Sequence, residues 1–170
     1  CAGPGMCMNA GERLPGAPAP ARYWQGTDDL RLAGDTWGDP NAPLVFLLHG
    51  GGQTRHAWRQ VGERLGEAGF HAVAFDARGH GDSEWSRDGD YELTSMARDL
   101  QRVAAGYGAA RPALVGASMG GLASLTALGE GMLDASALVL VDVTPVIDEN
   151  GRANIVAFMR QKPEGFESLE

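Results

Sequence analysis

The sequence predicts an α/β protein whose mostly parallel, doubly wound sheet forms a single core. Two observations point there: four short apolar runs without alternation (Leu44–Leu48, His71–Phe75, Ala113–Val115 and Ala137–Val141), and helical spacing of apolar residues in the segments between them. A run that is apolar at every position suits a strand buried on both faces, as parallel strands are. Strand–helix alternation requires right-handed crossovers and puts the ligand crevice at the C-terminal ends of the strands. Size agrees: 170 residues, 44% hydrophobic and 21% charged, fill one such core and leave little over.

Residues 1–21, rich in Gly, Pro and Ala, hold almost nothing large to bury and are expected to be a disordered leader. The first residue is Cys1 and not methionine, so a preceding segment is expected. Cys1 and Cys7, the only two cysteines, match no zinc, haem or redox spacing, and no disulfide framework is expected. From Arg22 to Gly38, aromatic and β-branched residues punctuated by Gly26 and Gly34 suit an antiparallel hairpin at a sheet edge. Helical spacing follows at Ala57, Val61, Leu65 and Ala68; at Leu93, Met96, Ala97, Leu100 and Val103; and at Leu122, Leu125 and Leu128. A last helical pattern starts at Ile155, Phe158 and Met159.

Charge excludes some partners. With 22 acidic against 14 basic residues the net charge is −8, which repels phosphate backbones and anionic lipid, so neither nucleic acid nor a membrane surface is expected. No stretch approaches the roughly 20 apolar residues of a membrane-spanning helix, and the first residues lack the basic start and apolar core of a signal peptide, so none is expected in this segment. A cytoplasmic location is expected.

Chemistry should sit just after the strands. The strongest signal is Gly116-Ala117-Ser118-Met119-Gly120, a G-x-S-x-G that follows a buried strand and opens a helix. That turn forces a serine into a strained conformation and pushes its hydroxyl into the crevice, while the glycines remove side chains that would collide with strand and helix. The competing reading is a plain Gly/Ser turn. The second signal is His49-Gly50-Gly51-Gly52 after strand Leu44–Leu48, where glycines free backbone amides to face a ligand. Acyl transfer needs two preorganised donors aimed at a developing oxyanion; the candidates are the N–H groups of Gly51 and Met119, against a simple glycine turn into a helix near Thr54. The third is the polar turn Asp76–Ser83, where Asp76 and Arg78 are expected to brace the loop as a hydrogen-bonded pair. Neither glycine loop fits G-x-G-x-x-G, and no G-x-x-x-x-G-K-[ST] occurs, so dinucleotide and P-loop readings fail on spacing. No metal cluster and no cofactor are expected.

With HGGG at 49–52, DARGHGDS at 76–83, GASMGG at 116–121 and LVDVTP at 140–145, in that order, the chain resembles the α/β-hydrolase superfamily, in the branch of cofactor-free haloperoxidases, carboxylesterases and carbon–carbon bond hydrolases. The resemblance covers residues 22–170. It implies an α/β-hydrolase core over 22–145, the start of a helical cap over 146–170, Ser118 as nucleophile, and Gly51 and Met119 as the oxyanion hole. A serine at 118 argues against epoxide hydrolases and dehalogenases, whose nucleophile is aspartate. The family's order of Ser, then Asp or Glu, then His is not completed: all four histidines, His49, His56, His71 and His80, precede Ser118. His71 opens its strand, at the end of the sheet away from the crevice; His49 and His80 are loop-bracing in the family's pattern; His56 sits early in the first helix. The base, and with it the acid, is expected beyond residue 170. Asp142 is the candidate acid within the chain, at a strand end that some members use, although in this branch the acid usually comes one strand later; the favoured reading is a bracing carboxylate that caps the following turn.

The resemblance thus implies hydrolysis of an ester or related acyl substrate, a small molecule, through an acyl-enzyme on Ser118. Perhydrolysis with halide oxidation, or carbon–carbon cleavage, are alternatives on the same site that the fold does not separate. A non-catalytic fragment is the third reading, with self-association through the uncovered edge of strand Ala137–Val141.

Overall fold

The computed structural model of the protein describes residues 18–108 and 111–143. Positions 1–17 of the expected leader, the whole of the expected cap segment 146–170 and its helical pattern lie outside the described residues. Six strands form one sheet: β1 (Arg22–Gln25), β2 (Arg31–Trp37), β3 (Leu44–Leu48), β4 (His71–Phe75), β5 (Ala113–Ala117) and β6 (Ala137–Val141). Helix α1 (Arg59–Glu67) joins β3 to β4, α2 (Leu93–Ala105) joins β4 to β5, and α3 (Met119–Gly129) joins β5 to β6. Their spatial order is β1-β2-β4-β3-β5-β6. Strands β3 to β6 pair in parallel and β1 and β2 antiparallel, so the doubly wound, mostly parallel class holds.

The apolar runs have a direct cause. Phe46, Leu48, Val73, Phe75 and Leu114 point to one face, where α2 and α3 close over them with Ala97, Leu100, Val103 and Ala127. Val45, Leu47, Ala72 and Ala74 point to the other, under Leu65 of α1 and Trp58. Every residue of β3 and β4 is therefore buried, and none has a solvent face on which a polar side chain would cost nothing.

Two expectations are corrected. Strand β6 is half-buried on one face and open on the other: Val139 and Val141 are 49% and 41% exposed, because α3 packs on the Leu138–Leu140 side and no described residue covers the other. Gly34 does not punctuate the hairpin but lies inside β2 opposite Phe75, where the Trp24 ring fills the place of a side chain. The hairpin turns instead at Gly26–Leu30, closed by the Gly26 N–H donating to the Leu30 carbonyl at 2.8 Å.

His71 registers with Leu44 at the N-terminal end of the parallel strands, the end away from the crevice, as expected. It is 4% exposed, and neither ring nitrogen has a hydrogen-bond partner among the described residues. Burial holds its pKa below the ordinary 6.5. The unfolded chain therefore takes up a proton near pH 6.5 while the folded chain does not, so stability is full above that pH and falls as the pH drops towards the folded-state value. His71→Leu is expected to remove part of this acid sensitivity, read from urea midpoints between about pH 7.5 and pH 5, without loss of stability at neutral pH.

Candidate active site

The strand order contains a switch point. From β3 the chain winds to β4 on one side and then crosses to β5 on the other, so the crevice of a doubly wound sheet opens beyond the C-terminal ends of β3 and β5. Those ends carry the glycine loop and the serine. Leu48 registers with Gly116, and two residues further on Gly50 and Ser118 meet: a Cβ on Gly50 would lie 3.5 Å from the Cβ of Ser118.

Ser118 links β5 to α3 at φ 44 and ψ −112, a conformation that side chains rarely adopt. Its N–H donates to the Val141 carbonyl of β6 at 3.0 Å, and its carbonyl accepts from the Leu122 N–H at 2.9 Å, starting the helix. The sheet and the helix fix both peptide groups, and the residue stays exposed at the sheet's mouth. The flanking glycines have the steric role expected of them. A Cβ on Gly116 would fall 2.5 Å from the Gly121 nitrogen, and one on Gly120 2.5 Å from the Leu48 carbonyl oxygen. Gly116→Ala and Gly120→Ala should each cost about 1–3 kcal/mol of stability by thermal unfolding, since backbone must move. Gly129→Ala, with nothing within 4 Å, is the control and should cost nothing.

The loop amides are not equivalent. Gly50 N–H donates to Gln53 Oε1 at 3.0 Å, and Gly52 N–H points at His80 Nε2 at 3.5 Å. Gly51 N–H has no acceptor among the described residues. Met119 is the first residue of α3, so its N–H has no intrahelical acceptor either, and its sulfur lies 3.9 Å from where a Cβ on Gly51 would stand. The structure thus brings Ser118, Gly51 and Met119 to one place. Asp142, with φ 52, is exposed and follows Val141, which registers with Ala117; it is level with Ser118 on the neighbouring strand. The turn it would cap runs into residues outside those described.

Asp76 and Arg78 do not pair with each other. Asp76 lies on the α1 face, where the fully buried Arg55 guanidinium binds it together with Asp82 and Asp35, the last two at 2.8 Å. Arg78 turns to the α2 face and binds Asp99 through Nε at 2.7 Å and Nη2 at 2.9 Å. Arg55 comes from the 3-10 turn leading into α1 and Asp99 from α2 on the opposite face of the sheet, which is why two residues so close in sequence separate. Burial alone would lower the pKa of each arginine, but the surrounding carboxylates outweigh it and hold both above the ordinary value. Sequence reasoning missed Arg55 and Asp99. Asp99 left a trace, an acid three residues after Met96 on the apolar stripe of α2; Arg55 left none.

His49 and His80 brace loops as expected. His49 accepts from the Ala77 N–H at Nε2 (3.0 Å) and lies 2.8 Å from the Gly50 carbonyl through Nδ1; His80 Nδ1 lies 3.0 Å from the Arg78 carbonyl. Among the described residues no group of three or more His, Cys, Asp or Glu is arranged to hold a metal, and no helix is long and apolar enough to cross a membrane.

A family model described as the alpha/beta hydrolase fold matches residues 43–169. The chain belongs to the α/β-hydrolase fold family. Within that family it is similar to an esterase of Mycobacterium tuberculosis, 40% identical over 64% of this chain and 35% of the esterase. It is similar also to protein phosphatase methylesterase 1 of Mus musculus, 29% identical over 97% of this chain and 46% of that protein. A solved α/β hydrolase of Novosphingobium aromaticivorans superposes with a TM-score of 0.72 at 28% identity, covering 82% of this chain and 50% of the other. The chain spans half or less of the length of each.

Proposed function

We propose that this α/β-hydrolase-fold chain carries the nucleophile and oxyanion-binding half of a serine-dependent hydrolase acting on an ester or related acyl substrate. One observation carries the reading: Ser118 is held in a strained strand-to-helix turn, at the switch point, beside the Gly51 amide, which has no acceptor among the described residues. The esterase names of two relatives support the ester class. A serine at this position disfavours the epoxide hydrolases, which attack through aspartate.

Ser118 Oγ adds to the substrate carbonyl carbon, and the carbonyl electron pair moves onto oxygen. The N–H groups of Gly51 and Met119 donate to that oxyanion, the latter aided by the positive end of α3. Collapse expels the alcohol and leaves an acyl ester on Ser118, which water cleaves. The serine proton needs a base. His49 and His80 have their ring nitrogens engaged by backbone, and His71 is at the wrong end of the sheet. The family resemblance assigns that role to a histidine beyond residue 170, oriented by an acid there or by Asp142.

Fluorophosphonate labelling of the protein tests the proposal. Label on Ser118 that vanishes in Ser118→Ala is the expected result, and undiminished labelling of the variant removes the reading.

A further inference from the structure

We propose that His49 and His80 are positioning residues that, in uncharged form, pin the two peptide planes on either side of Gly51 and so aim its N–H at the space before Ser118. The proposal rests on the reading of Gly51 as an oxyanion donor.

The tautomers follow from the partners. A backbone amide only donates, so His49 Nε2, which receives the Ala77 N–H at 3.0 Å, carries no proton. A carbonyl only accepts, so Nδ1, 2.8 Å from the Gly50 oxygen, carries it. The same logic fixes His80: its Nδ1 faces the Arg78 carbonyl at 3.0 Å and its Nε2 faces the Gly52 N–H at the longer distance of 3.5 Å. Each ring makes both contacts in one form only, neutral with the proton on Nδ1.

Geometry turns these bonds into aim. The Gly50 carbonyl and the Gly51 nitrogen share one planar trans peptide, in which C=O and N–H point in opposite directions. Drawing that carbonyl onto His49 turns the Gly51 N–H the other way. Holding the Gly52 N–H on His80 fixes the following plane, which carries the Gly51 carbonyl. The Gly50 carbonyl also accepts from the Gln53 N–H at 3.1 Å, so His49 is the second of two anchors on that plane and sets its tilt, which glycine's own backbone leaves open. His49 is 2% exposed, so water does not replace the lost partner when the ring is charged or removed.

The charged neighbours are accounted for. The two rings stand 5.1 Å apart, so a proton on one opposes a proton on the other. Asp76 approaches His49 from the loop after β4 but is bound to Arg55. Arg78 and Asp99, from that loop and from α2, line the same small cavity and bind each other. α3 contributes Met119, Gly120 and Ala123 there, none of them titratable. Burial, reinforced by His80 and opposed by Gly50 and Asp76, leaves the His49 pKa below the ordinary 6.5.

Two measurements decide it. Nitrogen-15 NMR of the wild-type protein at neutral pH should show both rings as Nδ1–H with an unprotonated Nε2; the Nε2–H tautomer or an imidazolium at His49 overturns the proposal. In the second, His49→Phe should slow fluorophosphonate labelling of Ser118 by about 10²-fold, the loss typical of one oxyanion donor. His49→Asn, which keeps an N–H near the Nδ1 position and cannot be charged there, should recover most of the rate. Equal rates for wild type and His49→Phe remove the role of His49 alone. Absence of label on wild-type Ser118 removes the oxyanion reading and this role with it.

Discussion

Ser118→Ala is expected to reduce ester turnover by about 10⁵- to 10⁶-fold, the loss seen when the nucleophile of a serine triad is removed. The residue left behind keeps the oxyanion donors and the crevice, so substrate binding should persist while the chemical step disappears. A fall confined to kcat, measured with a 4-nitrophenyl ester, is the expected signature. Stability gives a second readout. At φ 44 and ψ −112 the backbone stores strain of about 1–3 kcal/mol, which alanine does not relieve because it keeps the Cβ. Ser118→Gly relieves it, at an entropic cost of about 1 kcal/mol in the unfolded chain. The glycine variant should thus be as inactive as the alanine variant yet at least as stable as wild type. An alanine variant that retains wild-type turnover sinks the nucleophile assignment.

The second large effect concerns Arg55. Its side chain is fully buried, and its guanidinium holds Asp35, Asp76 and Asp82 while its amide donates to Asp76 Oδ1 at 2.6 Å. Arg55→Ala leaves these carboxylates without their shared cation, Asp76 among them with no access to water. Breaking such a buried pair by removing one partner costs about 3–5 kcal/mol, a large part of a typical domain's stability. Arg55→Lys should recover only part, because an ammonium cannot fork to several carboxylates at once. Arg59→Ala is the contrast: its pair with Glu63 at 3.0 Å is 64% and 45% exposed, and its loss should change stability by less than about 0.5 kcal/mol. Urea unfolding of the three variants measures the difference. Equal midpoints for Arg55→Ala and Arg59→Ala contradict the buried-clamp account.

The consequence of losing Arg55 extends to the site. It follows directly on the glycine loop, and through Asp76 and Asp82 it ties that loop to the turn after β4. His49 makes a second tie between the same segments through Ala77. The crevice wall beside Ser118 is therefore held by charge at its base and by imidazole near its mouth.

What the sequence by itself determined is whatever local pattern encodes. The two-sided burial of β3 and β4 leaves no polar position but His71 at the start of β4, so their bounds are legible as short apolar runs. G-x-S-x-G between a strand and a helix requires its own sharp turn, because Gly116 and Gly120 lie against backbone where no side chain fits. The class of fold and the place of Ser118 follow from these. Tertiary structure alone decided which charges meet: Asp76 with Arg55 instead of Arg78, and Arg78 with Asp99, partners more than twenty residues apart brought in by the turn before α1 on one face and by α2 on the other. Among the described residues, it also decided which of three adjacent glycine amides stays unengaged, and that one side of β6 is uncovered. Periodicity reports which residues of one element share a face; it carries no record of which loops from different strands converge at a switch point, and there the hydrogen bonds of the site are made.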